Sequence, residues 1–316
     1  MRESQAREPQ LVPELEATSY YGRPVIKAPV WKSAVPAYFF AGGLAGASSV
    51  LAAGADITGN RVLAGRARWT ALGAISAGAA LLIEDLGRPE RFRNMLRVAK
   101  PTSPMSVGSW LLTLYGPAAG LAAVGEALGL PRPVRRLAAS LAALTGPAVA
   151  TYTAVLISNT AVPVWHEARR ELPFVFGGAA ASAAGGAAMV TTAPADAGPA
   201  RVFALLGAAT ELGAARLARR RLGEVGAPYG EGRAGVLDPL ATGLTAGGAA
   251  VSALAGRRRL TAALGGGLLV AGSLAKRFAV LAAGIQSARA PASTIGPQRR
   301  RLERNGALAR TDPAPR

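Results

Sequence analysis

The stretch VPAYFFAGGLAGASSVLAAGADI, residues 35–57, decides the fold: it is mostly apolar, and its one charged residue is Asp56 near its end. Crossing the hydrocarbon core of a bilayer takes about 20 such residues in a helix. The stretch shows no strand-type alternation. In lipid every backbone polar group needs an internal partner, so a span must be a helix or a closed barrel. Seven further windows of this kind follow, at 69–86, 104–128, 137–160, 172–193, 199–217, 236–255 and 260–284. The reading is an all-α polytopic membrane protein with eight transmembrane helices. A tail over 1–34 precedes a transmembrane domain over 35–284, and a basic, disordered tail over 285–316 follows it. The sixth window is the least regular, because it contains Glu211 and Arg216. Only Arg257, Arg258 and Arg259 separate the last two, which predicts a tight hairpin.

Composition supports this. Hydrophobic residues are 50% of the chain but aromatics only 5%, so Ala and Gly carry much of the apolar character. Such residues fill a soluble core poorly. They suit helices in lipid, where close backbone approach replaces the hydrophobic drive. The net charge is +18, but the cations fall in short clusters between apolar windows. That layout fits membrane-flanking loops and a lipid bilayer partner, not a nucleic-acid groove. The polar N-terminus lacks the apolar core of a cleavable signal peptide, so the first span is expected to direct insertion.

The inventory of metal-binding residues is short. There is no cysteine, and His166 is the single histidine. Iron–sulfur ligation and bis-histidine haem are thereby excluded from this chain. Electron transfer through it would need an organic carrier in the membrane and a metal-bearing partner outside it.

The most informative segment runs Glu84-Asp85-Leu86-Gly87-Arg88-Pro89-Glu90-Arg91-Phe92, then through Asn94-Met95-Leu96 to Lys100-Pro101 and SPMSVGSW at 103–110. Two acids end the second span, and Gly87 with Pro89 stops the helix. A short amphipathic helix is expected next, with Phe92, Met95, Leu96 and Val98 on its apolar side. One reading is a loop anchored by Arg–carboxylate pairs at headgroup level; the other is a functional loop. Between the fourth and fifth spans lies NTAVPVWHE, 159–167, followed by LPFVF, 172–176.

These segments resemble the NrfD-like membrane subunits, a family that includes the membrane subunit of polysulfide reductase. LGRPERF with SPMSVGSW resembles the central motif, and YFFAGGLAG at 38–46 resembles the first span. The 159–176 segment is also similar, and the resemblance covers roughly residues 18–285. It implies eight helices in two four-helix bundles and a menaquinone or ubiquinone site near one membrane face. It further implies a four-cluster iron–sulfur ferredoxin-like partner and a molybdopterin-type catalytic subunit beyond it. The expected function is then exchange of electrons with the quinone pool in the plasma membrane, with proton translocation left open. A transporter or permease, or a purely structural anchor, is the alternative.

All three segments lie on the membrane side that holds both termini. The Lys and Arg excess there places that side in the cytoplasm by the positive-inside rule. The family resemblance implies that it looks outward.

On that face Tyr38, Tyr152, Asp85, Arg88 and His166 are candidates for a quinone site. A head group needs hydrogen-bond donors at its oxygens and a source of protons, and histidine shuttles protons near neutral pH. Interfacial tyrosines and an exposed loop histidine are more common without such roles than with them. Glu84, Glu211, Lys276 and Arg277 are candidates for a proton path, since ionisable groups inside spans face cavities or pair. Glu211 is expected to pair with Lys276 or Arg277, as a path or as a structural lock. Asp56 and Glu126 lie near span ends on the other side, where exposure explains them. Arg91, Lys100 and Glu167 are candidates for partner docking, with headgroup-level ion pairs the preferred reading for Arg91 and Lys100.

Overall fold

The structure, a computed structural model, describes residues 26–88, 90–125, 127–254 and 258–290, without the side chains of Phe92 and Arg93. Among these residues it is entirely helical. The helices are α1 (Ala34–Ile57), α2 (Arg61–Leu86), α3 (Glu90–Met95), α4 (Pro104–Val124) and α5 (Arg132–Ser158). They continue with α6 (Pro163–Glu167), α7 (Leu172–Thr191), α8 (Gly198–Leu222), a 3-10 segment (Gly223–Gly230), α9 (Gly232–Leu254) and α10 (Arg259–Arg289). The expectations for Glu126, for most of the N-terminal tail and for the C-terminal tail beyond 290 fall outside the described residues.

Local chemistry sets several boundaries. Asn60 caps α2, its Oδ1 accepting from the Leu63 N–H at 3.0 Å. Gly87 ends that helix in the left-handed region at φ 68°, a conformation that costs glycine little. Ser103 caps α4, with Pro104 in the first turn. The expected amphipathic helix is shorter than its apolar pattern: α3 stops at Met95, and Val98 lies beyond it, 60% exposed. The second window gains a turn and more at its start, because Arg61, Arg66 and Arg68 join α2 despite their charge.

Six helices are long and apolar enough to cross a membrane: α1, α2, α4, α5, α7 and α10. Helices α8 and α9 coincide with the sixth and seventh windows and match the others in length, but their charged residues leave them outside this apolar set. Eight spans are therefore more than apolarity alone supports.

Helix contacts divide the long helices into two groups of four. One is α1, α2, α4 and α5; the other is α7, α8, α9 and α10. Helices α1 and α7 join the groups, and α1 also touches α10. Burial agrees: 72% of the apolar window of α1 is buried, against 22% for α2. Glycine makes the close contacts. A methyl group at Gly46 would strike the Gly146 carbonyl, and one at Gly146 the Gly46 carbonyl. Gly186 and Gly266 are reciprocal in the same way between α7 and α10. Such backbone approach is how apolar helices associate without a hydrophobic drive.

Alternating helix direction gathers 26–33, 87–103, 159–171 and 223–231 at one end, here called the motif face. At the opposite face the turns are cross-tied. The Asn60 amide donates to the Asp196 carbonyl at 2.8 Å, and Arg68 pairs with Asp56. Asp56 is thus exposed, as expected, but paired.

Candidate functional site

The motif face is built around an aromatic cluster. Trp31, in the segment before α1, stacks on Trp165 of α6, with ring centroids 5.5 Å apart and planes at 15°. Phe39 of α1 meets Trp31 edge-on at 6.4 Å and Phe176 of α7 at 6.2 Å. Trp165 is wholly buried, and its indole N–H donates to the Val280 carbonyl of α10 at 2.8 Å. Gly284, one turn along, makes room for the indole. A buried indole requires a partner for its N–H, so this bond and the missing side chain at 284 seat α6 between the two helix groups.

Next to this cluster, Tyr38 of α1 and Tyr152 of α5 share an apolar setting with Leu81 and Leu82 of α2 and Leu112 of α4. The Tyr152 ring lies on Gly108, where a Cβ would overlap it. Among the described residues neither tyrosine hydroxyl has a hydrogen-bond partner. Tyr115 differs: it is deeper in the same helix group, and its hydroxyl is engaged by Ser49 Oγ at 2.8 Å.

The remaining sequence candidates divide by depth. Glu84, Asp85, Arg88, Arg91 and Lys100 are all exposed on the motif face. Arg91 donates to the Leu86 carbonyl at 3.0 Å, tying α3 to the end of α2. His166 is exposed, with Nδ1 3.3 Å from the Ser158 carbonyl, and Glu167 is half-buried. The Ser106 hydroxyl donates to the Val98 carbonyl at 2.7 Å and accepts from the Lys100 N–H at 3.0 Å, which folds the 97–103 turn against α4.

Glu211, Lys276 and Arg277 are fully buried, between α8 and α10 as expected. The expected pairing is different, however. Lys276 Nζ bonds Asp238 Oδ1 of α9 at 2.7 Å and the Thr242 hydroxyl at 3.2 Å. Arg219 of α8 also pairs with Asp238. Glu211 accepts from the Thr245 hydroxyl, 3.4 Å from Oε2, and feels the charges of Lys276 and Arg277 without a direct bond to either. Arg277 crosses to α7, where Nη2 donates to the Phe176 carbonyl at 2.8 Å and the guanidinium lies 3.7 Å from the centre of the Phe176 ring. Cation–π contact of this kind gains strength when both partners are desolvated.

Sequence reasoning missed Asp238, Arg219, Thr242, Thr245 and Trp31. A signal existed for the α9 residues: Asp238, Thr242 and Thr245 are spaced four and three apart, one polar stripe on an apolar helix. Trp31 carried none, because nothing in its neighbours predicts a stack with a residue far along the chain.

No metal-binding cluster of His, Cys, Asp or Glu occurs among the described residues. A comparison with curated proteins gives no match. The family described as polysulphide reductase, NrfD matches residues 25–198, which takes in every element from Trp31 through α7. That is more than half of the sequence and includes all three of the segments singled out in it; the chain belongs to the polysulphide reductase NrfD family.

Proposed function

We propose that this chain is the membrane subunit of a respiratory oxidoreductase complex and exchanges electrons between the plasma-membrane quinone pool and an iron–sulfur partner. The partner is a four-cluster ferredoxin-like subunit docked on the motif face, with a molybdopterin-type catalytic subunit behind it. The observation that carries the reading is the family match, whose residues build most of that face. In this reading all eight long helices span the bilayer. The charges that lower the apolarity of α8 and α9 argue little against it: Glu211 and Asp238 point inward, and the cations fall toward the helix ends, Arg201 and Arg233 in first turns and Arg216, Arg219, Arg220 and Arg221 in the last two turns of α8. Intramembrane charges are tolerated in such positions.

The quinone, menaquinone or ubiquinone, is an exchangeable substrate. We assign its ring to the apolar setting of Tyr38, Tyr152, Leu81, Leu82 and Leu112, where neither tyrosine hydroxyl has a partner among the described residues. Each can donate to a quinone carbonyl oxygen. Reduction of the head group takes two electrons from the partner and two protons from the motif face. Asp85, Arg88 and His166 stand at that face, where the proton supply and the site entrance would lie. Arg91, Lys100 and Glu167 fit the docking rim.

The test uses the purified full chain in lipid nanodiscs and a hydroxyquinoline N-oxide as quinol analogue. Saturable binding is expected. Tyr38→Phe and Tyr152→Phe should each weaken it by roughly 2–10-fold, the value of one net hydrogen bond. Equal affinity in the double variant would overturn the site. A solute flux in liposomes, with no quinol analogue bound, would favour a permease.

A further inference from the structure

The charges of the second helix group form a column with one open end. Starting at the motif face, the side chain of Arg219 is half exposed and pairs with Asp238. Asp238 holds the buried Lys276, and Lys276 also reaches Thr242. Asp238, Thr242 and Thr245 climb one face of α9, a rise of about 10 Å at 1.5 Å per residue. At the top Thr245 meets Glu211, which lies in the middle of α8. Two sets of polar contacts thus stand one above the other from the motif face to mid-membrane depth, Arg219–Asp238–Lys276–Thr242 and then Thr245–Glu211.

They stop there. Toward the opposite face the helices approach backbone to backbone at Gly185, Gly186, Gly207 and Gly248, with Leu269 and Met189 fully buried there and the hydroxyls of Ser182, Ser252 and Ser273 as buried polar groups beside them. No charged residue occurs in α7, which packs its Gly178 directly on the Glu211 backbone. Sideways, toward α1, the way is closed by Arg277, whose Nη2 is bonded to the Phe176 carbonyl and lies against Gly43. A guanidinium does not give up its proton in proteins and repels an incoming one.

The two acids differ in their partners. Asp238 is clamped by an ammonium and a guanidinium. Glu211 has one hydroxyl donor for two carboxylate oxygens, and that donor can serve only one of them at a time. The charged groups around it are Lys276 and Arg277 of α10, with Arg219 two turns away on α8. A buried carboxyl short of donors becomes satisfied by binding a proton and donating it. We propose that Glu211 is a proton-exchange site, loaded and emptied from the motif face through Asp238 and Lys276, with no outlet to the opposite face. The step is the transfer of one proton from a hydronium ion at the motif face to a Glu211 carboxylate oxygen, leaving water behind, and its reversal. The proposal rests on the membrane placement of α8–α10 and not on the quinone reading.

Infrared difference spectra of the full chain in nanodiscs, between alkaline and acidic buffer, test the site. The wild type is expected to show the C=O band of a protonated carboxylic acid that shifts in heavy water. The band should be lost in Glu211→Gln and kept in Glu231→Gln, a change at an exposed acid outside the column. Thr245→Val should shift it, which carries the test if Glu211→Gln fails to fold. A band that persists in Glu211→Gln, or in a folded wild type is never seen, overturns the site. Proton flux into liposomes under a potassium diffusion potential tests the closed end. Flux equal to that of protein-free liposomes is expected, and flux that disappears in Glu211→Gln overturns it.

Discussion

Replacing Gly284 by alanine should uncouple the motif face from α10. A methyl group there would lie within the indole of Trp165, against Cε2, Cζ2 and Nε1. The ring has no easy escape: it is wholly buried, stacked on Trp31 and tied to the Val280 carbonyl. Overpacking of a rigid neighbour costs about 1–3 kcal/mol. If the ring moves instead, its N–H loses a buried acceptor, a penalty of about 1–3 kcal/mol. Either route destabilises, and the two are alternatives, so the expected loss is about 1–3 kcal/mol. The internal control is Gly267→Ala on the same helix, where a methyl group meets nothing within 4 Å. Glycine in a helix interior costs about 0.5–1 kcal/mol relative to alanine, so Gly267→Ala should leave stability unchanged or raise it.

Thermal unfolding of both variants in one detergent, followed by size exclusion, gives the comparison. Trp165→Phe removes much of the ring that the methyl group strikes. The double variant Trp165→Phe with Gly284→Ala should therefore be less destabilised than the sum of the two singles, with a coupling of about 0.5–3 kcal/mol. Strict additivity, or a Gly284→Ala melt equal to that of Gly267→Ala, would refute the account of α6 as a wedge seated by indole packing.

Lys276→Met alone should destabilise by about 3–5 kcal/mol, because it leaves Asp238 buried beside only Arg219, whereas Lys276→Met with Asp238→Leu should recover most of that loss; the same thermal assay reads both. At the opposite face Arg259 donates to the carbonyls of Met189, at 3.2 Å, and of Val190 and Thr192, at the C-terminal end of α7. Arg259→Ala should cost about 1–2 kcal/mol through the lost helix-end charge, seen as faster amide exchange in the last turn of α7 with the motif face unaffected.

The sequence made the membrane architecture legible because hydropathy reports on what a bilayer interior tolerates, and six helices are long and apolar enough to cross one. It was less legible at α2, whose first turns carry Arg61, Arg66 and Arg68 at a membrane edge where charge does not stop a helix. The amphipathic helix after Gly87 was legible as a feature but not in extent, since apolar spacing persists through Val98 while the backbone turns at Met95. In the site, the depth of Glu211, Lys276 and Arg277 followed from their place in the windows. Their partners did not. Lys276 was expected to meet Glu211, the acid already noticed, whereas Asp238 sat close enough to the edge of its window to be passed over. Which acid a buried lysine reaches depends on helix rotation, and rotation here is set by glycine contacts such as Gly248 against α10.

Those contacts also explain why two helices with low apolarity belong in the bundle. A charge in lipid is costly when it faces hydrocarbon and much less so when it faces an opposite charge inside protein. In α8 the inward position is held by Glu211 and the cations fall toward the ends, Arg201 in the first turn and Arg216, Arg219, Arg220 and Arg221 in the last two, so the middle of the outer flank stays apolar, with Val202 and Leu206 exposed. The same holds for α9, where Asp238, Thr242 and Thr245 occupy one stripe while Val236, Leu240 and Leu254 are exposed elsewhere on the helix. Averaging hydropathy along such a helix mixes two faces with opposite environments and understates the lipid-facing one. The charge column and the two helices of lowest apolarity are thus one feature: α8 and α9 are less apolar because they carry, between them and α10, the polar groups that the other helices exclude.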